Sequence, residues 1–478
     1  MGFVKWTVAE IVEATGGTLV QGDPSQAVRS ISTDSRGIEP GDCFVALKGE
    51  RHDAHDYVGQ ALSSGAGAAV VSSLRPQWGI ARDGISPAFI QVRDTLHALG
   101  ELARFHRRRF RIPLVGIGGS NGKTSTKEMV YAILSGRRTV LKNPGNLNNL
   151  VGVPLTLLKL TEGHEAAVIE MGINVPGEMA RLADIVAPTV GLLTNIHPAH
   201  LEGLGSLEDV LTEKGKLLES LGDDDTAVIN WDDPRLRSLA GRLRCRSIRF
   251  GTGLEPVEVR LLGPVSVEGG RTLFQIAVES DSMPVRLSVL GMHQVQNALA
   301  AAAVAHALGE PLEGISRGLA LHRPVSQRME FHRLSRGIVL IDDTYNANPR
   351  SMISAVQSAR DAAPKASLIA VLGDMRELGP DSIAMHREVG RQVARIGVDR
   401  LVTLGEFAGE IEAGAMEAGL AAACCTHVRS HEEAVGAVRD CLAEGAWIVV
   451  KGSRGMAMEK VVAGILQFVG GPSSNPAP

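Results

Sequence analysis

The run GGSNGKTST, residues 118–126, holds the residue types that a bound phosphate requires, in the order it requires them. A glycine-rich turn lets successive backbone N–H groups face one anion, and the positive end of a following helix adds to their field. Lys123 can then reach terminal phosphates while the Thr124 hydroxyl ligates magnesium. The usual spacing G-x-x-x-x-G-K-[ST] would place glycine at Ile117, so this loop is a shorter one: Gly119, Ser120, Asn121, Gly122, Lys123, Thr124, with Ser125 after it. The apolar run IPLVGI precedes it and an amphipathic stretch from Thr124 to Leu134 follows, which predicts strand, turn and helix. A glycine turn with a lysine there by chance would not need that order. The residues imply an ATP site, a property shared by many unrelated enzymes.

Other polar residues stand where chemistry is possible but carry weaker signals. Glu170 ends the apolar run AAVIEMG, where an open parallel sheet presents residues to a ligand crevice and a carboxylate could hold magnesium. His197 and His200 follow the next strand in NIHPAHLEG, either solvated or metal-ligating. Lys214 sits in the helical stretch SLEDVLTEKGKLLES, where a lysine is ordinarily a surface residue. Asn146, Asn148 and Asn149 form a polar loop able to donate to a substrate phosphate, or simply a turn.

Three segments must position these groups. Residues 1–111 mix short strands and helices, with a strand at Asp42 to Leu47, a loop KGERHDAHD too polar to be core, and a helix from Tyr57 to Ser64. Residues 112–322 alternate buried strands, at Ala166 to Met171 and Val190 to Asn195, with helices, as a parallel sheet covered on both faces demands. An antiparallel hairpin is expected between Val257 and Leu290, turning at Glu268, Gly269 and Gly270, and then a helix from Gln294 to Leu308. Residues 323–469 return to strand–helix alternation, with strands at Ile338 to Ile341, Ser367 to Leu372, Leu401 to Leu404 and Trp447 to Val450. Residues 470–478, rich in Gly, Pro and Ser, read as a disordered tail, and no internal repeat is visible.

Composition bounds the function. A chain of 478 residues that is 44% hydrophobic can fill several cores. A net charge of −4 with scattered basic residues gives no nucleic-acid face, and the cluster Arg107, Arg108, Arg109, Arg111 reads as a solvated helix end. Five cysteines in irregular positions, Cys424 and Cys425 among them as small core residues, suggest a reducing compartment. Neither a signal peptide nor an apolar run of about 20 residues is present, so a cytoplasmic protein with no membrane partner is expected.

Taken together, these residues resemble the Mur ligases, which extend the peptide of peptidoglycan precursors, and the resemblance covers nearly the whole chain. The family's shortened loop G-x-x-G-K-T is what Gly119 to Thr124 spells. The resemblance implies an α/β protein of three domains. These are a small mixed uridine-nucleotide-binding domain, a central P-loop ATPase domain with a mostly parallel sheet, and a C-terminal Rossmann-like domain. Glu170 looks like a magnesium-binding glutamate, His200 like the histidine at a second metal, and Lys214 like the lysine these enzymes carry as a carbamate. Asn297, with His293 nearby, looks like the asparagine that contacts adenine, Arg328 like the arginine opening the third domain, and Asp343 like its nucleotide-contacting acid.

The segments TDSR (Thr33, Asp34, Ser35, Arg36) and FVALKGERHDAHDY, with Lys48, Gly49 and His52, look like the uridine-binding elements of the two later-acting members. DDTYNANP, with Tyr345 and Asn346, and GDMRELG resemble the branch that adds D-alanyl-D-alanine, whereas the D-N-P-R of the diamino-acid branch is absent. KGSR, with Lys451, Ser453 and Arg454, is also similar to a family feature facing the active site. Where family loops often read H-D-G-H, this chain has Ala54, a change expected to restrict the backbone. The implied reaction is ATP-dependent addition of D-alanyl-D-alanine to UDP-N-acetylmuramoyl-tripeptide through an acyl phosphate, by a monomer. It would use two magnesium ions, one on Thr124 and Glu170 and the other on His200 and carbamylated Lys214, and the domains would close to bring the substrates together. Other Mur ligases, a folylpolyglutamate synthase, which has no uridine-binding first segment, and a regulatory ATP-binding protein remain as alternatives.

Overall fold

The apolar run before the glycine loop becomes a strand, Leu114–Gly118, with all five residues buried. It can be buried on both faces because helices cover both sides of its sheet. Val115 and Ile117 point into one core with Val295 and Leu299 of the helix Met292–Ala307. Leu114 points the other way, into a core with Met179, Leu182 and Leu217. In the computed structural model, residues 6–49, 52–78, 86–198, 201–268 and 270–470 are described.

That strand is the third from one edge of a nine-stranded sheet. Ala166–Glu170 and then Val140–Lys142 lie on one side of it; Val190–Leu193, Thr226–Asn230 and Arg246–Gly251 lie on the other, all parallel. The chain therefore reverses its direction of travel across the sheet at Leu114–Gly118, and a crevice opens at the carboxyl ends of its neighbours there. The expected hairpin is larger than two strands. Val259–Glu268, Arg271–Val278 and Asp281–Leu287 form an antiparallel meander that continues the same sheet, with Gly269 outside the described residues.

The first unit holds a five-stranded sheet, parallel except for Thr18–Gln21 at one edge, beside a two-stranded ribbon. The third unit is a six-stranded sheet, parallel except for its edge strand Glu330–Arg333. Helices bury both faces of that sheet, giving two cores. Strand and helix bounds fall within a residue or two of the expected ones, for example Cys43–Val45 inside Asp42 to Leu47 and Val58–Ser63 inside Tyr57 to Ser64. Of the expected tail only Gly470 falls within the described residues.

Four local expectations need correcting. The arginine cluster is not simply a solvated helix end: Arg107 is buried and donates to the carbonyls of Phe110, Val186 and Ala187, tying the helix Thr95–Arg107 to the central unit. Arg109 lies over the rings of Trp6 and Phe105 and pairs with Glu10, while Arg108 and Arg111 are exposed. The polar loop is not all surface, because His55 is buried, bonded to Asp53 and accepting from the Ser72 N–H. Ala54 opens the short 3-10 helix Ala54–Tyr57 and is not among the residues of positive φ, so alanine costs that turn nothing. Cys424 and Cys425 are half-buried, and all five cysteines are free thiols.

Candidate active site

The phosphate loop is shaped by two glycines that nothing larger could replace. Gly119 has φ +129°, and a Cβ there would lie 2.0 Å from Thr194 Oγ1. Gly122, the N-cap of the helix Lys123–Leu134, has φ +82°, and a Cβ would lie 2.2 Å from Asn297 Oδ1. Both positions combine left-handed backbone with close packing, which only glycine tolerates. The loop is further tied to the end of the strand Val190–Leu193: the Asn121 N–H donates to Asn195 Oδ1, and Thr194 Oγ1 donates to Asn121 O at 2.6 Å. Lys123 folds back so that its ammonium donates to Gly119 O and Ser120 O. Burial pushes the Lys123 pKa down, against the pull of Glu170.

Glu170 arrives from the neighbouring strand and is buried. Thr124 Oγ1 donates to Glu170 Oε2 and Asn148 Nδ2 to Glu170 Oε1, both at 2.8 Å. A hydroxyl and a carboxylate side by side offer the hard oxygens that suit magnesium, and the Asn148 amide orients the carboxylate. The asparagine loop therefore has internal duties that its composition did not show. Asn148 holds the carboxylate and Asn149 Oδ1 accepts from the Gly152 N–H at the start of the helix Gly152–Leu157; Asn146 is exposed at the rim.

These groups line a cleft of about 780 Å³ between the central and third units. Ser120, Asn121, Gly122, Lys123, Thr124, Ser125, Asn146, Asn148, Asn149, Glu170 and Asn297 enter it from the central unit, and Arg328, Asp343, Tyr345, Asn346 and Lys451 from the third. The Arg328 guanidinium lies 3.9 Å over the Tyr345 ring. Lys451 pairs with Asp343 at 2.7 Å and donates to Asn346 O, which stiffens the DDTYNANP turn. His293, at the start of its helix, is pushed down by burial to about 4 and is a neutral imidazole at neutral pH.

Other expected site residues lie elsewhere. Thr33 to Arg36, and Lys48, Gly49 and His52, follow the adjacent parallel strands Ile31–Ser32 and Cys43–Val45, so they share one end of the first sheet and do not line the cleft. Asp34 and Arg36 there form an exposed pair at 2.8 Å, which holds the Asp34 carboxyl at about 2. Ser453 braces the turn by accepting from the Arg376 N–H, and Arg454 pairs with Glu459; neither lines the cleft. His200 lies outside the described residues. His197 is half-buried in the cleft wall, its pKa lowered by burial.

Lys214 is buried, contrary to the ordinary reading of a helical lysine, and burial followed by the nearby Lys123 charge lowers its pKa to about 7. The signal was in the periodicity: Leu207, Val210, Leu211, Leu217, Leu218 and Leu221 form one apolar stripe, and Lys214 falls on it. Sequence reasoning passed over Lys127 and Asn143, both fully buried behind Glu170, the cleft residues Asn195 and Asp233, and Thr194, which holds the loop at Asn121 O. Lys127 could have been found the same way, three residues before Val130 and seven before Leu134 on the buried face of its helix.

Models of the Mur ligase middle domain, of the "Mur ligase, glutamate ligase domain" and of the Mur ligase family catalytic domain match residues 117–305, 327–454 and 27–107. The chain belongs to the Mur ligase family. Within it, the chain is 37% identical to the UDP-N-acetylmuramoyl-tripeptide–D-alanyl-D-alanine ligase of Escherichia coli (strain K12), over 96% of this chain and 98% of that one. A crystal structure of MurF from Acinetobacter baumannii matches with a TM-score of 0.88 at 33% identity, covering 98% of this chain and all of the other (100%). The MurF ligase of Thermotoga maritima, solved in complex with ADP, matches with a TM-score of 0.82 at 28% identity over 92% and 98% of the two chains. Among the described residues no helix is long and apolar enough to cross a membrane.

Proposed function

We propose that this protein is an ATP-dependent ligase that joins D-alanyl-D-alanine to UDP-N-acetylmuramoyl-tripeptide, the last cytoplasmic step in making the peptidoglycan precursor pentapeptide. The observation that carries the reading is the cleft itself, in which a phosphate loop with a buried Thr124–Glu170 pair faces Arg328, Asp343, Tyr345 and Lys451 of the third unit. A carboxylate oxygen of the tripeptide attacks the γ-phosphorus of ATP and ADP leaves, giving an acyl phosphate. The dipeptide amine then attacks the acyl carbon, the amine proton is lost, and inorganic phosphate departs as the amide forms.

The loop N–H groups and the start of the helix Lys123–Leu134 hold the nucleotide phosphates, and the Lys123 ammonium exchanges its loop carbonyls for them. Asn297, Arg328 and Asp343 take the rest of the nucleotide. Thr124 and Glu170 would hold one magnesium ion, and His200 with Lys214 as its carbamate a second. Bound magnesium supplies charge neutralisation at the transferring phosphoryl group. Lys214 suits carbamylation because the amine must be neutral to add carbon dioxide, and burial favours that form. Thr33, Asp34, Ser35, Arg36, Lys48, Gly49 and His52 receive the uridine end, Asn146, Asn148 and Asn149 its phosphate side, and Tyr345, Asn346 and Lys451 the dipeptide side, with Ser453 and Arg454 supporting that turn from behind.

The units divide at 111/112 and 322/323, with 470–478 as a tail, and the protein acts as a cytoplasmic monomer with no nucleic-acid or membrane partner. Phosphate release that requires ATP, the UDP-linked tripeptide and D-alanyl-D-alanine together, with a product heavier than the tripeptide precursor by the dipeptide less one water, is the result expected. Release that is unchanged when the dipeptide is omitted, or supported by folate and glutamate instead, would overturn the reading.

A further inference from the structure

Lys127 lies one turn beyond Thr124 on the same helix, and its side chain is wholly buried. An ammonium is costly to take out of water unless its donors are met. Here they are met by one side of the site. Nζ donates to Asn143 O at 2.8 Å and to Gly145 O at 3.2 Å, and stands 3.3 Å from Glu128 Oε1 and 3.8 Å from Glu170 Oε2.

Its acceptors belong to a segment sewn onto Glu170. Asn143, itself fully buried, accepts from the Glu170 N–H and donates to Glu170 O and Leu147 O. Asn148 O accepts from the Gly172 N–H, and its amide holds the carboxylate. The segment then runs into Val151 and Leu155, which pack against the core of the first unit. Lys127 thus stands where the phosphate-loop helix, the carboxylate and the loop leading to the first unit meet, yet it does not line the cleft.

We propose that Lys127 is a positioning residue: its buried ammonium fixes residues 143–149 and the Glu170 carboxylate, and so aligns the acceptor carboxylate of the UDP-linked precursor with the nucleotide. This rests on the function proposed above. The nucleotide phosphates are held by the loop and helix start on the other side of Thr124, so Lys127 governs alignment rather than nucleotide affinity.

The test compares Lys127→Met, unbranched and of similar length, with Lys127→Gln, which retains a donor for one carbonyl. Lys142→Met serves as a control, because Lys142 is partly exposed and pairs with Glu128. In Lys127→Met, kcat/KM for the precursor should fall by about a hundredfold, the scale of a 1 Å misplacement, while the ADP Kd measured by calorimetry stays within about twofold. Lys127→Gln should recover about tenfold of that loss, and Lys142→Met should match the parent. A folded Lys127→Met with kcat/KM within about threefold of the parent, a parallel loss of ADP affinity, or failure of both Lys127 variants to fold would each overturn the proposal. Inactivity of the parent chain with all three substrates would instead overturn the functional reading, and this proposal with it.

Discussion

Asn121 of the phosphate loop and Asn348, the N-cap of the helix Pro349–Ala362, face each other across the cleft as an amide pair. Asn348 Nδ2 donates to Asn121 Oδ1 at 2.6 Å and Asn121 Nδ2 returns a longer bond at 3.4 Å. The loop that would hold ATP is therefore in direct contact with the third unit.

Asn348→Asp keeps the oxygen that accepts from the Ser351 N–H but cannot donate to Asn121. It should leave the melting temperature nearly unchanged while increasing the nucleotide-free radius of gyration seen by scattering. Asn348→Ala loses the cap as well and should cost about 1 kcal/mol of stability. An aspartate variant with the parent's radius would show that the pair does not hold the units together.

Lys123→Met removes the loop's only side-chain cation while its glycines and helix start remain. Its kcat should fall by about 10²–10³-fold, the scale for losing one charge-stabilising donor, with a smaller change in ADP affinity. A full-rate variant would sink the phosphate-loop assignment.

The phosphate loop was legible because strand, turn and helix are contiguous, so local chemistry alone shapes it. Its supports were not, because Thr194, Asn195 and Asn143 come from other strand ends and meet only when the sheet assembles. The asparagine loop shows the limit of reading residue types. Asn148 and Asn149 could bond a substrate, but Glu170 and a helix N-terminus already engage them. Arg107 misled for the opposite reason: four arginines within five residues look solvated, yet one of them is buried and donates to three carbonyls, two of them in the central unit.

Arg107→Met tests that last point. It strands the carbonyls of Phe110, Val186 and Ala187, so the chain should lose about 2–4 kcal/mol of stability, read as a lower melting temperature. Because Arg107 is remote from the cleft, kcat of the folded fraction should not change. A drop in kcat with unchanged stability would mean that this joint transmits to the site.

Lys214 separates stability from activity. The unfolded chain takes up its proton below the ordinary lysine value of 10.5, whereas the folded chain does so only below about 7. The unfolded state therefore binds more protons between those values, and stability rises with pH across that window. In buffer free of carbon dioxide, Lys214→Met should abolish this slope and be about 3–4 kcal/mol more stable at pH 7. The same variant should lose nearly all ligase activity. Adding bicarbonate to the parent at pH 8 should raise both activity and melting temperature, because the neutral amine adds carbon dioxide and releases a proton, and the effect should fade below pH 7. A parent indifferent to bicarbonate, or an active Lys214→Met, would rule the carbamate out and leave Lys214 as a buried amine kept neutral by its surroundings.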